Sequence, residues 1–117
     1  ADAAEAKAKA ENWNVVIAIL DEGGHLILLR RVDGVQIGSI ELAQTKAKTA
    51  VYYKRPSKIF EDQVTQGNNR PLTMPHVFAS EGGVPIIKDG VMIGAIGVSG
   101  VTSIQDGIIA AAGLAVL

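Results

Sequence analysis

The chain has 117 residues, a formal net charge of −1, 48% apolar residues but only 4% aromatics, and no cysteine. That length suits one domain over residues 1–117 that buries roughly two thirds of its unfolded surface without metals or disulfides, and the lack of cysteine excludes disulfides, thiolate zinc sites and cysteine nucleophiles. The near-neutral charge and scarce aromatics exclude a nucleic-acid surface, which needs a basic stripe or stacking rings. No apolar run reaches the ~18 residues of a membrane span, so the expectation is a cytoplasmic protein. A start at Ala1 without methionine leaves a processed, secreted or periplasmic form open.

Residues 1–12 are, but for Asn12, Ala, Lys, Glu and Asp with an alanine stripe, and predict a helix that packs closely or weakly. Val15 to Leu20 is apolar in both alternation phases, as in a central strand covered on both faces. Asp21-Glu22-Gly23-Gly24 turns the chain, and His25 to Arg31 returns as a second strand. Ser39 is placed to cap a helix to about Tyr53, with Glu41 near its positive end. Its apolar face carries Ile40, Ala43, Ala47, Ala50 and Val51, and its polar face Lys46 or Lys48. Pro56 stops that helix, and Ser57 caps a shorter one to Gly67.

Gly67 to Gly83 has two prolines and no sustained period, and Leu72 to Phe78 is its best place for a further short strand. Val84 to Gly100 reads as two strands joined by the hairpin pair Asp89-Gly90. Thr102 to Asp106 offers a capping-box start, with Asp at the position more often filled by Glu, for a last helix, Ile104 to Leu117, that is apolar nearly all round. Strand pairs clustered between helices predict an α+β fold with an antiparallel sheet, and two-sided apolar strands require helices on both of its faces.

Gly94, Gly97 and Gly100 match no phosphate-loop pattern. They serve either the close approach of a covering helix or contact with a flat ligand. Ser99, Gly100, Thr102 and Ser103 would present hydroxyls and amides at a helix start, where a carboxylate binds. Arg31 at a strand end either clamps a carboxylate or reaches solvent. Lys46, Glu81 and Asp106 are candidate acids or bases that no motif ties together. His25 and His76 lack a metal-ligand partner, but one imidazole suffices for the axial position of a haem iron.

Several segments together resemble the GlcG-like, or HbpS-like haem-degrading, family, which includes the C-terminal domain of PduO-type proteins. They are Asp21-x-x-Gly24-x-Leu26, Arg31-x-Asp33-Gly34, Ala43-x-x-Lys46-Ala47-x-Thr49-Ala50, Gly82-Gly83-Val84-Pro85-Ile86, and Gly94 to Gly100 with Gln105-Asp106. The chain departs from the family pattern at Val32 and Val101, and matches it least over residues 68–80. The resemblance implies a profilin-like fold with a five-stranded antiparallel sheet between helices. It also implies a homo-oligomer with small-molecule pockets near subunit contacts. Haem or another tetrapyrrole is the implied ligand, with His25 and His76 as candidate iron ligands. Arg31, Lys46, Gly82, Gly83, Ser99, Gly100 and Asp106 are candidate pocket residues. The other functions expected are an accessory enzyme acting on a small carboxylate, and a structural assembly module.

Overall fold

A computed structural model describes residues 1–117. Four strands, β1 (Val16–Asp21), β2 (Leu26–Arg31), β3 (Gly83–Lys88) and β4 (Val91–Ser99), form one antiparallel sheet in the order β2-β1-β4-β3. The helices are α1 (Asp2–Ala10), α2 (Gly38–Tyr53), α3 (Lys58–Thr65) and α4 (Ser103–Leu114). The expected α+β class, the interior position of β1 and the helices on both sheet faces all stand. The sheet has four strands rather than five. The segment expected to hold a further strand instead makes a 3-10 turn at Arg70–Thr73 and then tight turns, because Pro71 and Pro75 each lack the N–H that a ladder requires.

Alternation along β1 explains the two layers. Val15 and Ile17 pack with Ile96 and Val98 beneath α1 and α4, in a cluster completed by Ala4, Ala8, Ile109 and Ala110. Fully burying a side chain such as Ile17 or Ile109 contributes about 2 kcal/mol. The opposite phase, Val16, Ala18 and Leu20, meets Ala43, Ala47 and Ala50 of α2. That helix lies very close to the sheet. A Cβ on Gly97 would overlap the Ala43 carbonyl and come within 2.9 Å of the Ala47 methyl, and one on Gly83 would overlap the Lys46 carbonyl. Of the two uses open to Gly97, close helix packing is the one the structure displays.

Local chemistry sets the ends. Asp89 and Gly90 both take positive φ, 53° and 78°, as a two-residue hairpin with a primed turn demands. Thr102 caps α4 by accepting from Gln105 N, while the Gln105 side chain accepts from Thr102 N. The capping-box partner is therefore Gln105 rather than Asp106, whose carboxylate is used elsewhere. Ser39 lies inside α2, buried, instead of capping it, and Ser57 makes no side-chain cap bond to α3. Lys46 is also buried against the sheet and not on the polar face. The sheet has two irregularities, each leaving one extra residue, Ile27 in β2 and Ile93 in β4.

Candidate functional site

The face of α2 turned away from its alanine stripe borders a cleft against the β1–β2 hairpin. Its lining is Leu20, Gly24 and Leu26 on the sheet side and Glu41, Gln44, Thr45 and Lys48 on the helix side, and its volume is about 240 Å³. The helical spacing 41, 44, 48 continues to Tyr52, whose ring lies against Gly24 at the end of the cleft, with the Lys48 ammonium 6.0 Å from its centroid. The His76 imidazole packs on the same ring, centroids 4.4 Å apart and planes tilted by 58°. His25, next to Gly24, is 83% exposed with Nδ1 3.3 Å from Asp21 Oδ1. That Asp21 oxygen also accepts from the amides of Gly23 and His25, and these amides hold its carboxyl below the usual range. His76 thus meets Tyr52, whereas the His25 ring lies over Gly23 and Asp21, and neither histidine is among the residues that line the cleft.

His76 stands in a loop whose backbone is held by hydroxyls. Thr49 Oγ1 has its one proton between the His76 carbonyl at 2.8 Å and the Thr45 carbonyl of its own helix at 2.9 Å, and accepts from Phe78 N at 2.9 Å. Tyr53 donates to the Pro75 carbonyl, and Ser57 donates to the Ser80 carbonyl and accepts from Gly83 N. Thr49, Tyr53 and Ser57 follow one another at four-residue steps, and together they supply the partners that a strand ladder would have given this segment. None of the three stood out in the sequence as a site residue. Their regular spacing opposite a loop without its own period was the signal available.

A second group of the expected residues meets under α2. Lys46 Nζ lies 2.8 Å from Asp106 Oδ2 and donates to the Val98 carbonyl at 3.1 Å, with the two side chains only 3% and 2% exposed. Asp106 Oδ1 accepts from Val101 N. Burial pushes the Asp106 carboxyl up, against the opposing pull of Lys46 and of the Val101 and Gly100 amides. Gly82 leaves room for the lysine, since a Cβ there would sit 2.9 Å from Lys46 Cδ. Gly100, at φ 152°, would direct a Cβ onto the Asn14 carbonyl. Lys46, Gly82, Gly83, Gly100 and Asp106 therefore form one closed joint between α2, the sheet and α4. The anion at the start of α4 is the chain's own Asp106.

The remaining candidates are dispersed. Ser99 is buried with its Oγ 3.4 Å from Ser39 Oγ, whereas Arg31 is exposed at the end of edge strand β2. The neighbouring Arg30 is the one engaged, to Asp2 and Glu5 of α1. Glu81 packs over Gly107, and burial, with Glu61 and Asp62 nearby, outweighs Lys58 and Lys46 and raises its carboxyl. A cavity of about 330 Å³ on the other sheet face is lined almost entirely by aliphatic side chains, among them Ile27, Ile93 and Leu117. It holds no imidazole, carboxylate side chain or cationic side chain. No helix is long and apolar enough to cross a membrane.

Leu26, 48% exposed, is the accessible apolar side chain of the lining, Leu20 being buried at 2%, and Lys48 is its cation. Of what haem needs, an apolar seat, a cation for its carboxylates and an imidazole for its iron, the lining supplies the cation and part of the seat, and both histidines lie outside it. The volume in one chain is below the about 300–1,000 Å³ usual for a ligand pocket.

Known proteins match the chain over nearly its whole length. Residues 1–115 match the family described as haem degrading protein HbpS-like. Protein GlcG of Escherichia coli strain K12 is 43% identical over 97 residues, covering 83% of this chain and 72% of GlcG. Among solved structures, a PduOC–heme complex superposes with a TM-score of 0.89 at 31% identity, covering 99% of this chain and 87% of that one. HbpS superposes equally well, with a TM-score of 0.89 at 31% identity over 100% of this chain and 83% of its own. The chain belongs to the HbpS-like family, the same family as GlcG.

Proposed function

We propose that this protein binds haem, or another tetrapyrrole, in the cleft between β2 and α2, and that it does so as a homo-oligomer. The observation that carries the reading is Tyr52, which packs on His76 on one side and lies against Gly24 of the cleft on the other, with Lys48 and the exposed Leu26 in the cleft lining. Family membership and the likeness to a heme complex support it. When bound, haem supplies an iron centre for ligand or redox chemistry. The chain's part is to seat the macrocycle on Leu26, to orient its carboxylates toward Lys48, and to offer an imidazole from His76 or His25.

Oligomerisation is proposed on two grounds. The cleft of one chain is small for the ligand, and aliphatic side chains such as Ile27 and Leu117, 64% and 66% exposed, remain uncovered on the other sheet face. The test is titration with hemin, followed in the Soret region, of the wild-type chain and of Leu26→Asp. Saturable binding by the wild type, weakened about tenfold or more by a charge on the cleft floor, supports the reading. Equal binding by both chains moves the site elsewhere.

A further inference from the structure

We infer that the outer edge of β2 is the surface through which two copies of this chain pair, antiparallel and about a two-fold axis beside Leu29, so that the sheet continues from one copy into the other. The inference rests on the homo-oligomer reading and names the surface that serves it. The ladder fixes which main-chain groups are free. Val32 N donates to the Val15 carbonyl, and Val16 lies opposite Arg31 in the register. Hydrogen-bonded and open pairs alternate along an antiparallel ladder. Arg30 and Leu28 therefore turn their N–H and C=O groups toward β1, and Arg31 and Leu29 turn theirs outward. The strand stands at the edge of the sheet, and its Leu26, Ile27 and Leu29 side chains are all exposed. An open apolar edge is a template for another strand.

The opposite edge decides which strand that is. On β3 the outward positions fall to Gly83 and Pro85, since Val98 N donates to the Gly82 carbonyl and Gly83 lies opposite Gly97. Both are closed. Gly83 N donates to Ser57 Oγ and the Gly83 carbonyl accepts from Ser57 N, while Pro85 has no N–H to give. With one open edge per chain, a second copy has only its own β2 to offer, and β2 against β2 makes a closed dimer rather than a growing fibre. An axis beside Leu29 lets the free N–H and C=O of that residue bond the same groups of the second copy. It sets Leu29 against Leu29, Arg30 against Leu28 and Arg31 against Ile27, so that no like charges stand opposite one another. Pairing there also continues the sheet past Leu26, which lines the cleft.

The experiment measures solution mass by light scattering for the wild type, Leu29→Pro and Leu29→Lys, with thermal midpoints as the check on folding. Leu29→Pro removes an N–H that β1 does not use, as Pro85 does on β3. Leu29→Lys keeps that N–H but sets like charges face to face across the axis. Both are expected to halve the wild-type mass. The chain has no cysteine, so Leu29→Cys carries a single thiol. At the Cα separation of about 5.5 Å in a hydrogen-bonded pair, which a disulfide can span, mild oxidation is expected to give a covalent dimer. Arg31→Cys, with its two thiols on opposite sides of the axis, is expected to give none. Folded Leu29→Pro and Leu29→Lys chains of wild-type mass, or cross-linking of Arg31→Cys in place of Leu29→Cys, overturn the inference and leave homo-oligomerisation standing. A wild type with the mass of one chain overturns both.

Discussion

Lys46 and Asp106 are sixty residues apart in sequence and 2.8 Å apart in space, almost wholly shielded from water. Lys46→Met leaves the Asp106 carboxylate buried without its cation, and is expected to cost about 3–5 kcal/mol in urea denaturation. Lys46→Met combined with Asp106→Leu is expected to cost less than the single change, because no charge is then stranded. Glu81 gives a prediction in pH. Its folded carboxyl titrates above the ordinary glutamate range because burial disfavours its charge. Its stabilising contribution is therefore complete at low pH, and is lost as the pH rises through the raised value. Glu81→Gln, which stays neutral, is expected to raise the thermal midpoint relative to wild type more at about pH 7 than at about pH 4. An equal difference at both pH values contradicts that origin. Lys46, Gly82, Gly83 and Asp106 were identifiable from sequence as candidates by their motifs. Their mutual closure was not, because residue types show neither the distance between two charges nor their exposure. Ser39 shows the same limit: its type suits a cap, whereas the close approach of α2 to the sheet buries it.

The helices and strands were legible where one physical pattern dominates. Two-phase apolar runs marked β1, Asp89-Gly90 marked the hairpin, and the alanine spacing marked α2. The stretch between α3 and β3 was not legible, because its backbone partners are the hydroxyls of Thr49, Tyr53 and Ser57 on other segments. Hence its sequence carries no period, and the strand expected there is absent. Helix packing itself is open to test. Gly97→Ala places a methyl against the Ala43 carbonyl, forces α2 off the sheet, and is expected to cost about 3 kcal/mol. The α4 cap is a smaller lever: Thr102→Ala removes one half of the capping box and is expected to cost about 1 kcal/mol. Both are read from urea midpoints. A Gly97→Ala chain as stable as the wild type would show that α2 does not depend on that close approach.

Across the molecule, the two faces of the sheet divide the work. The α1/α4 face carries the larger core cluster and, beyond it, an aliphatic cavity where the extra residues Ile27 and Ile93 emerge. The α2 face carries the closed Lys46–Asp106 joint at one place and the open cleft with Lys48 and Leu26 at another, the stacked Tyr52 and His76 lying beside it. The small-molecule site proposed here is the open one, and most of the motif residues serve the closed one. Family motifs thus identify the frame more readily than the residues of the proposed site, since Lys48 falls at a motif gap, Tyr52 lies beyond the motif's end and His76 lies in the segment that matches least. Homo-oligomerisation predicts a solution mass at least twice that of one chain by light scattering, falling when Ile27 is replaced by Asp. The most direct measurement remains titration of the wild-type protein with hemin in the Soret region. Binding that saturates at a fixed ratio of hemin to chain, with a spectrum shifted from that of free hemin, is the result predicted. A spectrum that changes only in proportion to added hemin would contradict it.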